Sequence, residues 1–129
     1  MVKPGTYVAD SLALVADRVG DPTGPLYQSL FEQYPAFEDL FVLDTDQSVR
    51  GSMLMHVFEC IDDYFAGNRV AFSFVASSRI VHEGYGVPQD QFDLFFVTLK
   101  DFCRKALGDD WSDEMEAEWS TMLADFAAA

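Results

Sequence analysis

The sequence predicts an all-α fold, and three observations predict it. Apolar residues recur at spacings of three and four along most of the chain, glycines and prolines break these runs at short intervals, and no stretch sustains the alternation of a half-buried strand. A length of 129 residues fits one domain, residues 1–129. Half of the residues are hydrophobic (50%), 15% are aromatic and twelve are Phe. That is enough to fill a core without a disulfide, and too apolar for a disordered chain.

The elements follow in order. Val8, Leu12, Val15 and Val19 share one helical face, and Gly20-Asp21-Pro22 ends that run. From Pro25 to Gln33, Leu26, Leu30 and Phe31 form a second face with Tyr27 beside it, until Pro35 forces a break. Glu38 to Gln47 is acidic and without a period, and reads as a corner or loop. Ser48 to Phe65 is helical again, with the stripe Leu54, Val57, Phe58, Ile61, Tyr64 and Phe65. Gly67-Asn68 stops it. Arg69 to Glu83 predicts a further helix, which ends at Gly84-Tyr85-Gly86-Val87-Pro88.

Pro88 suits the first turn of a helix that runs on without interruption through Phe92, Phe95, Phe96, Leu99, Phe102 and Cys103. Lys100, Arg104 and Lys105 lie toward its C-terminal end, where the dipole favours cations. Gly108-Asp109-Asp110 closes it. Ser112 is the expected cap of a final helix with Asp113 and Glu114 in its first turn and Met115, Trp119, Met122 and Phe126 on its apolar face.

A net charge of −14 repels phosphate backbones and anionic membranes, so no nucleic-acid or membrane partner is expected. Cys60 and Cys103 lie in apolar helical patterns without zinc spacing, and read as buried free thiols. Met1-Val2-Lys3-Pro4-Gly5 has no apolar signal core, and no apolar run approaches the roughly 20 residues of a membrane span, so a cytoplasmic location is expected.

Three motifs stand out by their order. Leu30-Phe31-Glu32-Gln33-Tyr34-Pro35 is followed by Phe41, six residues beyond the proline. His82 is followed by Gly86-Val87 and, ten residues on, by Phe92. Leu107-Gly108-Asp109-Asp110-Trp111 precedes Glu118-Trp119. Together they resemble the globin family, most of all bacterial single-domain globins and the heme domain of flavohemoglobins. The resemblance covers nearly the whole chain. It implies about six to eight helices around a heme pocket, heme b as cofactor and a diatomic gas as ligand.

It also implies roles. His82 would be the proximal ligand of the iron, Phe41 would wedge the heme, and Val87 and Phe92 would pack on its proximal side. A neutral imidazole suits iron, and large apolar side chains suit a flat apolar disc. Alone, one histidine reads as solvated; its 41-residue spacing from Phe41 and the turn after it favour the ligand. Tyr27, fourteen residues before Phe41, would point at the gas ligand, where a phenol can donate a hydrogen bond; the alternative is an ordinary core tyrosine.

The distal helix has two registers. One puts Met53 at the gate and Val57 above the iron; the other puts Arg50 at the gate and Leu54 above the iron. Neither supplies a distal Gln or His. His56 reads as an exposed histidine, with a propionate or the iron as its alternative partner. Arg50 and Arg79 are candidate propionate partners through their fork geometry. The tyrosine and glutamate that activate the proximal histidine in some bacterial globins are missing; Phe92 stands at the tyrosine position. An unactivated imidazole is therefore expected.

The function implied is reversible binding of oxygen, NO or CO at a pentacoordinate iron, for storage, scavenging or sensing, by a monomer or homodimer. Two alternatives remain open. One is nitric oxide dioxygenation with an external reductase, since the chain shows no nucleotide-binding fingerprint of its own. The other is a heme-free interaction module whose pocket is filled by phenylalanines.

Overall fold

The computed structural model describes residues 2–129. Seven α-helices and two 3₁₀ helices, with no strand among the described residues, bear out the all-α expectation. The helices are α1 (Thr6–Val19), α2 (Thr23–Gln33), α3 (Ser48–Phe65), α4 (Val70–Gly84), α5 (Gln89–Phe92), α6 (Leu94–Leu107) and α7 (Asp113–Ala127). No helix among them is long and apolar enough to cross a membrane.

Helix α6 is the hub. It packs on α1, α2 and α7, while α3 packs on α2 and α4. The core between them includes Val8, Val15, Leu26, Leu54, Ile61, Val75, Leu99, Leu107, Trp119, Met122 and Phe126. Cys60 and Cys103 are buried free thiols, as their settings predict. Burial pushes the Cys60 thiol up to about 11, with Asp63 adding to the effect, and the Cys103 thiol up to about 12.

Helix α1 has no side-chain cap of its own. Its first N–H groups are satisfied from the far end of the chain: Glu118 of α7 accepts from Gly5 N at 3.1 Å and from Val8 N at 2.9 Å. Gly5 has φ +89°, and a Cβ there would meet the Phe65 ring at 2.7–3.0 Å, so only glycine fits. Below it, Trp119 donates Nε1–H to Ser11 Oγ at 2.9 Å inside the core. Arg18 closes the other end of α6 by donating to the carbonyls of Ala106 and Leu107 at 2.9 and 3.0 Å.

Three boundaries differ from expectation, each for a local reason. Helix α2 starts at Thr23, before Pro25, because Asp21 accepts from Thr23 N at 3.0 Å and Oγ1 at 2.7 Å. A first-turn proline is tolerated there, since first-turn N–H groups have no partner within the helix. The corner after Pro35 is partly ordered as a 3₁₀ helix, Pro35–Phe41. The helix expected to run unbroken from Pro88 is interrupted at Asp93, which separates α5 from α6. Arg79 of α4 grips this break, donating to Asp93 Oδ2 at 2.7 Å and to the Gln89 carbonyl at 3.4 Å. Ser112 caps α7 as predicted, accepting from Met115 N at 3.1 Å.

Candidate functional site

Two clusters carry the sequence-predicted residues, and an aromatic wall joins them. The first is built on Tyr27. Its spacing on α2 turns it inward, and only 2% of it is exposed. The ring lies 5.5 Å from Phe41, 6.0 Å from Phe31 and 5.7 Å from Phe95, centroid to centroid. The phenolic oxygen is buried and has no hydrogen-bond partner. Burial raises its pKa far above the ordinary tyrosine value; Arg50 pulls it down and Asp44 adds to the rise. The group therefore stays a neutral O–H donor with nothing to donate to. Such groups are rare in protein interiors and cost free energy.

Arg50 completes this cluster. Its guanidinium carbon sits 5.3 Å from the Phe41 centroid and 5.5 Å from that of Phe31. Asp44, itself buried, accepts from the backbone N–H groups of Val49 and Arg50 at 3.0 Å each and so fixes the start of α3. Leu54 and Val57 follow on the buried face of α3, Met53 is half-buried and His56 is exposed.

The second cluster is built on His82, on the last turn of α4. Its Nδ1 lies 2.7 Å from the carbonyl oxygen of Ser78, four residues earlier. With Nδ1–H donating there, Nε2 is left as the lone-pair nitrogen, the form that binds a metal. The ring is half-buried and lies 5.1 Å from Phe92. The turn after it is closed by Val87 N donating to the His82 carbonyl at 2.9 Å. Gly86 allows this turn with φ +98°. Val87 itself is half-buried.

The wall runs along α5 and α6. Phe92 faces Phe96 at 5.9 Å, Phe96 faces Phe95 at 5.8 Å, and Phe95 faces Tyr27 at 5.7 Å. Tyr27 and His82 are thus two ends of one aromatic surface. Two clefts lie elsewhere. An apolar one of about 120 Å³ has Leu12, Val15, Phe58, Leu99 and Cys103 among its lining, and a shallower groove is edged by Tyr7, Tyr64, Phe65 and Glu118.

Arg79, a candidate propionate partner, is engaged inside the protein. Its guanidinium is turned inward: Nη1 donates to Asp93, Nη2 donates to the Phe126 carbonyl at 3.0 Å, and the head group lies 5.1 Å from the Phe92 centroid. The residue is only 9% exposed. It ties α4 to the α5–α6 break and to α7. Sequence reading missed three partners: the Ser78 carbonyl, Asp44 and Phe95. Ser78 was open to inference, because the carbonyl four residues before a helical histidine lies within reach of its Nδ1; the other two depend on the fold.

The profile of the family described as Globin matches residues 25–129. The chain belongs to the globin family. This globin is also similar to a leghemoglobin from Psophocarpus tetragonolobus, 29% identical over 110 residues, which cover 80% of this chain and 76% of that protein. No solved structure matches. Helix α1 lies ahead of the matched residues, yet Glu118 and Trp119 bind it into the same core.

Membership of the family implies a heme, and the donors fit one. A histidine with a fixed tautomer and a free Nε2 stands at one end of an apolar aromatic wall. A buried phenol that lacks an acceptor stands at the other. Among the described residues there is no cluster of His, Cys, Asp or Glu that could hold a bare metal ion instead.

Proposed function

We propose that this globin holds one heme b through Nε2 of His82 and takes up a diatomic gas reversibly on the opposite face, toward Tyr27. The observation that carries this reading is the 2.7 Å contact between His82 Nδ1 and the Ser78 carbonyl. It selects the tautomer a heme ligand needs and aims the ring along α4. Heme would supply the iron that takes oxygen, NO or CO.

The chain's own residues do the rest. His82 binds and orients. The Ser78 carbonyl accepts a neutral hydrogen bond from Nδ1–H and fixes the ring, where a carboxylate would activate it. Phe41, Phe92, Phe95 and Phe96 supply apolar surface that excludes water. Tyr27 offers its O–H to a ligand that develops negative charge. These features suit storage, scavenging or sensing of a gas by a soluble cytoplasmic protein.

The test is reconstitution with hemin. The wild-type chain is expected to give a sharp Soret band and a five-coordinate ferrous spectrum that shifts on adding CO. His82→Ala should lose the axial nitrogen and retain heme poorly. An identical spectrum and identical CO binding in His82→Ala would overturn the assignment.

A further inference from the structure

We infer that the groove between α1, α3 and α7 is a binding site for a small organic cation of the quaternary ammonium class. It shares no lining residue with the wall between Tyr27 and His82, so it stands apart from the gas-binding reading.

The groove has a volume of about 410 Å³, within the range of small-molecule sites. Three rings line it: Tyr7 from α1, and Tyr64 and Phe65 from the last turn of α3. The Tyr64 and Phe65 centroids lie 4.8 Å apart with their planes at 78°, so the pair forms a corner and not a flat face. Tyr64 is fixed against Phe126 at 5.3 Å, and its hydroxyl donates to the Asp125 carboxylate. Ala117 and Thr121 of α7 are short and leave the space open.

Carboxylates supply the charge. Glu114 and Glu118 line the groove one turn apart on α7, where like charges repel. Asp125 follows on the same stripe of the helix. Among the described residues, no ion pair reaches any of the three. Glu118 accepts from Gly5 N and Val8 N, and these neutral donors leave its charge in place. The Tyr64 hydroxyl registers the resulting potential. It is pushed up to about 12, first by burial, then by the hydrogen bond to Asp125 and the charges of Asp125 and Glu118.

This chemistry selects the ligand. Aromatic faces attract a cation whose charge is spread over methyl groups, and the carboxylates add attraction at longer range. No Lys or Arg of the chain is among the lining residues to take that place. A bare metal ion is served no better, since among the described residues no group of His, Cys, Asp or Glu could hold one.

The experiment titrates choline into the full chain and follows it by nuclear magnetic resonance. Controls are sodium chloride at equal ionic strength and the neutral analogue of choline in which carbon replaces the nitrogen. The amide signals of Gly5, Phe65, Ala117 and Glu118 are expected to move saturably with choline and to stay in place with both controls. Glu114→Gln, which removes an exposed charge, should weaken choline about threefold, the range of a partly exposed charge pair. Tyr7→Leu should weaken it about fivefold, the range of a cation over one ring. Glu114→Gln also guards against a packing defect in the Tyr7 variant. Equal shifts with the carbon analogue would reduce the groove to a hydrophobic contact, and equal shifts with sodium chloride would reduce the effect to screening. Either result, or choline moving none of these signals, or full affinity in both variants, would overturn the site.

Discussion

The Tyr27 hydroxyl makes opposite demands on stability and on ligand retention. Buried without a partner, it costs the folded chain free energy. Removing it should therefore leave the heme-free protein as stable, or more stable by about 1 kcal/mol. The heme-loaded protein should pay for that change in ligand retention. Tyr27→Phe is expected to release oxygen about tenfold faster, while carbon monoxide, a less polar ligand, changes little. Stopped-flow dissociation of both gases, with a urea titration of the heme-free variant, checks the pair. Equal acceleration for both gases would make Tyr27 a packing residue. Residue by residue, legibility followed spacing. Tyr27, Phe41, His82 and Phe92 were singled out by the resemblance that their order and spacing carry, and the structure sets Tyr27 against Phe41 and His82 against Phe92. The two arginines were not separable by counting. Nothing in the sequence around Arg79 announces that Asp93 and the Phe126 carbonyl will close on it, since one lies 14 and the other 47 residues away.

At the scale of elements, the helices were legible where breakers bound them and obscure where a tertiary contact did. Ser48 to Phe65 was read to the residue, because Gly67-Asn68 ends it and its apolar stripe is regular. The break at Asp93 was missed because no glycine or proline marks it; in the structure a guanidinium from α4 hydrogen-bonds to it. The capping of α1 belongs to the same class. Ser112 was recognisable as a cap because cap and helix adjoin, whereas Glu118 caps a helix more than a hundred residues away. This remote cap is open to test. Glu118→Ala should destabilise the fold by about 1–2 kcal/mol, as loss of a helix N-cap does. Amide exchange at Gly5 and Val8 should quicken more than exchange in the middle of α6. Urea denaturation and hydrogen exchange measure the two effects, and unchanged protection at Gly5 and Val8 would show that α1 needs no cap from α7.

At the scale of the molecule, the fold class was legible because it needs only the helical period, and the family was legible because three weak motifs kept their order. Charge acts at this scale too. With a net charge of −14, repulsion among carboxylates opposes compaction, and few cations offset it. Raising sodium chloride from about 0.01 to 0.15 M shortens the screening length from roughly 30 to 8 Å. The melting temperature should rise by about 4 °C, the shift that about 1 kcal/mol produces in a domain of this size. Calorimetry across that range decides it; a falling melting temperature would mean that attractive pairs such as Arg79–Asp93 outweigh the repulsion.

The remote cap has a consequence in time. A ribosome delivers α1 ahead of α7, and the carboxylate that closes its N-terminus is made 113 residues later. At roughly 5–20 residues per second, that is a delay on the order of ten seconds. Through this interval the nascent α1 has an apolar stripe with no completed core to receive it and no cap to hold its first turn. Of the seven helices described, the first in the chain is thus the last to be capped. Capping of α1 waits on α7, and a chaperone that shields the emerging segment would have its task defined by that wait.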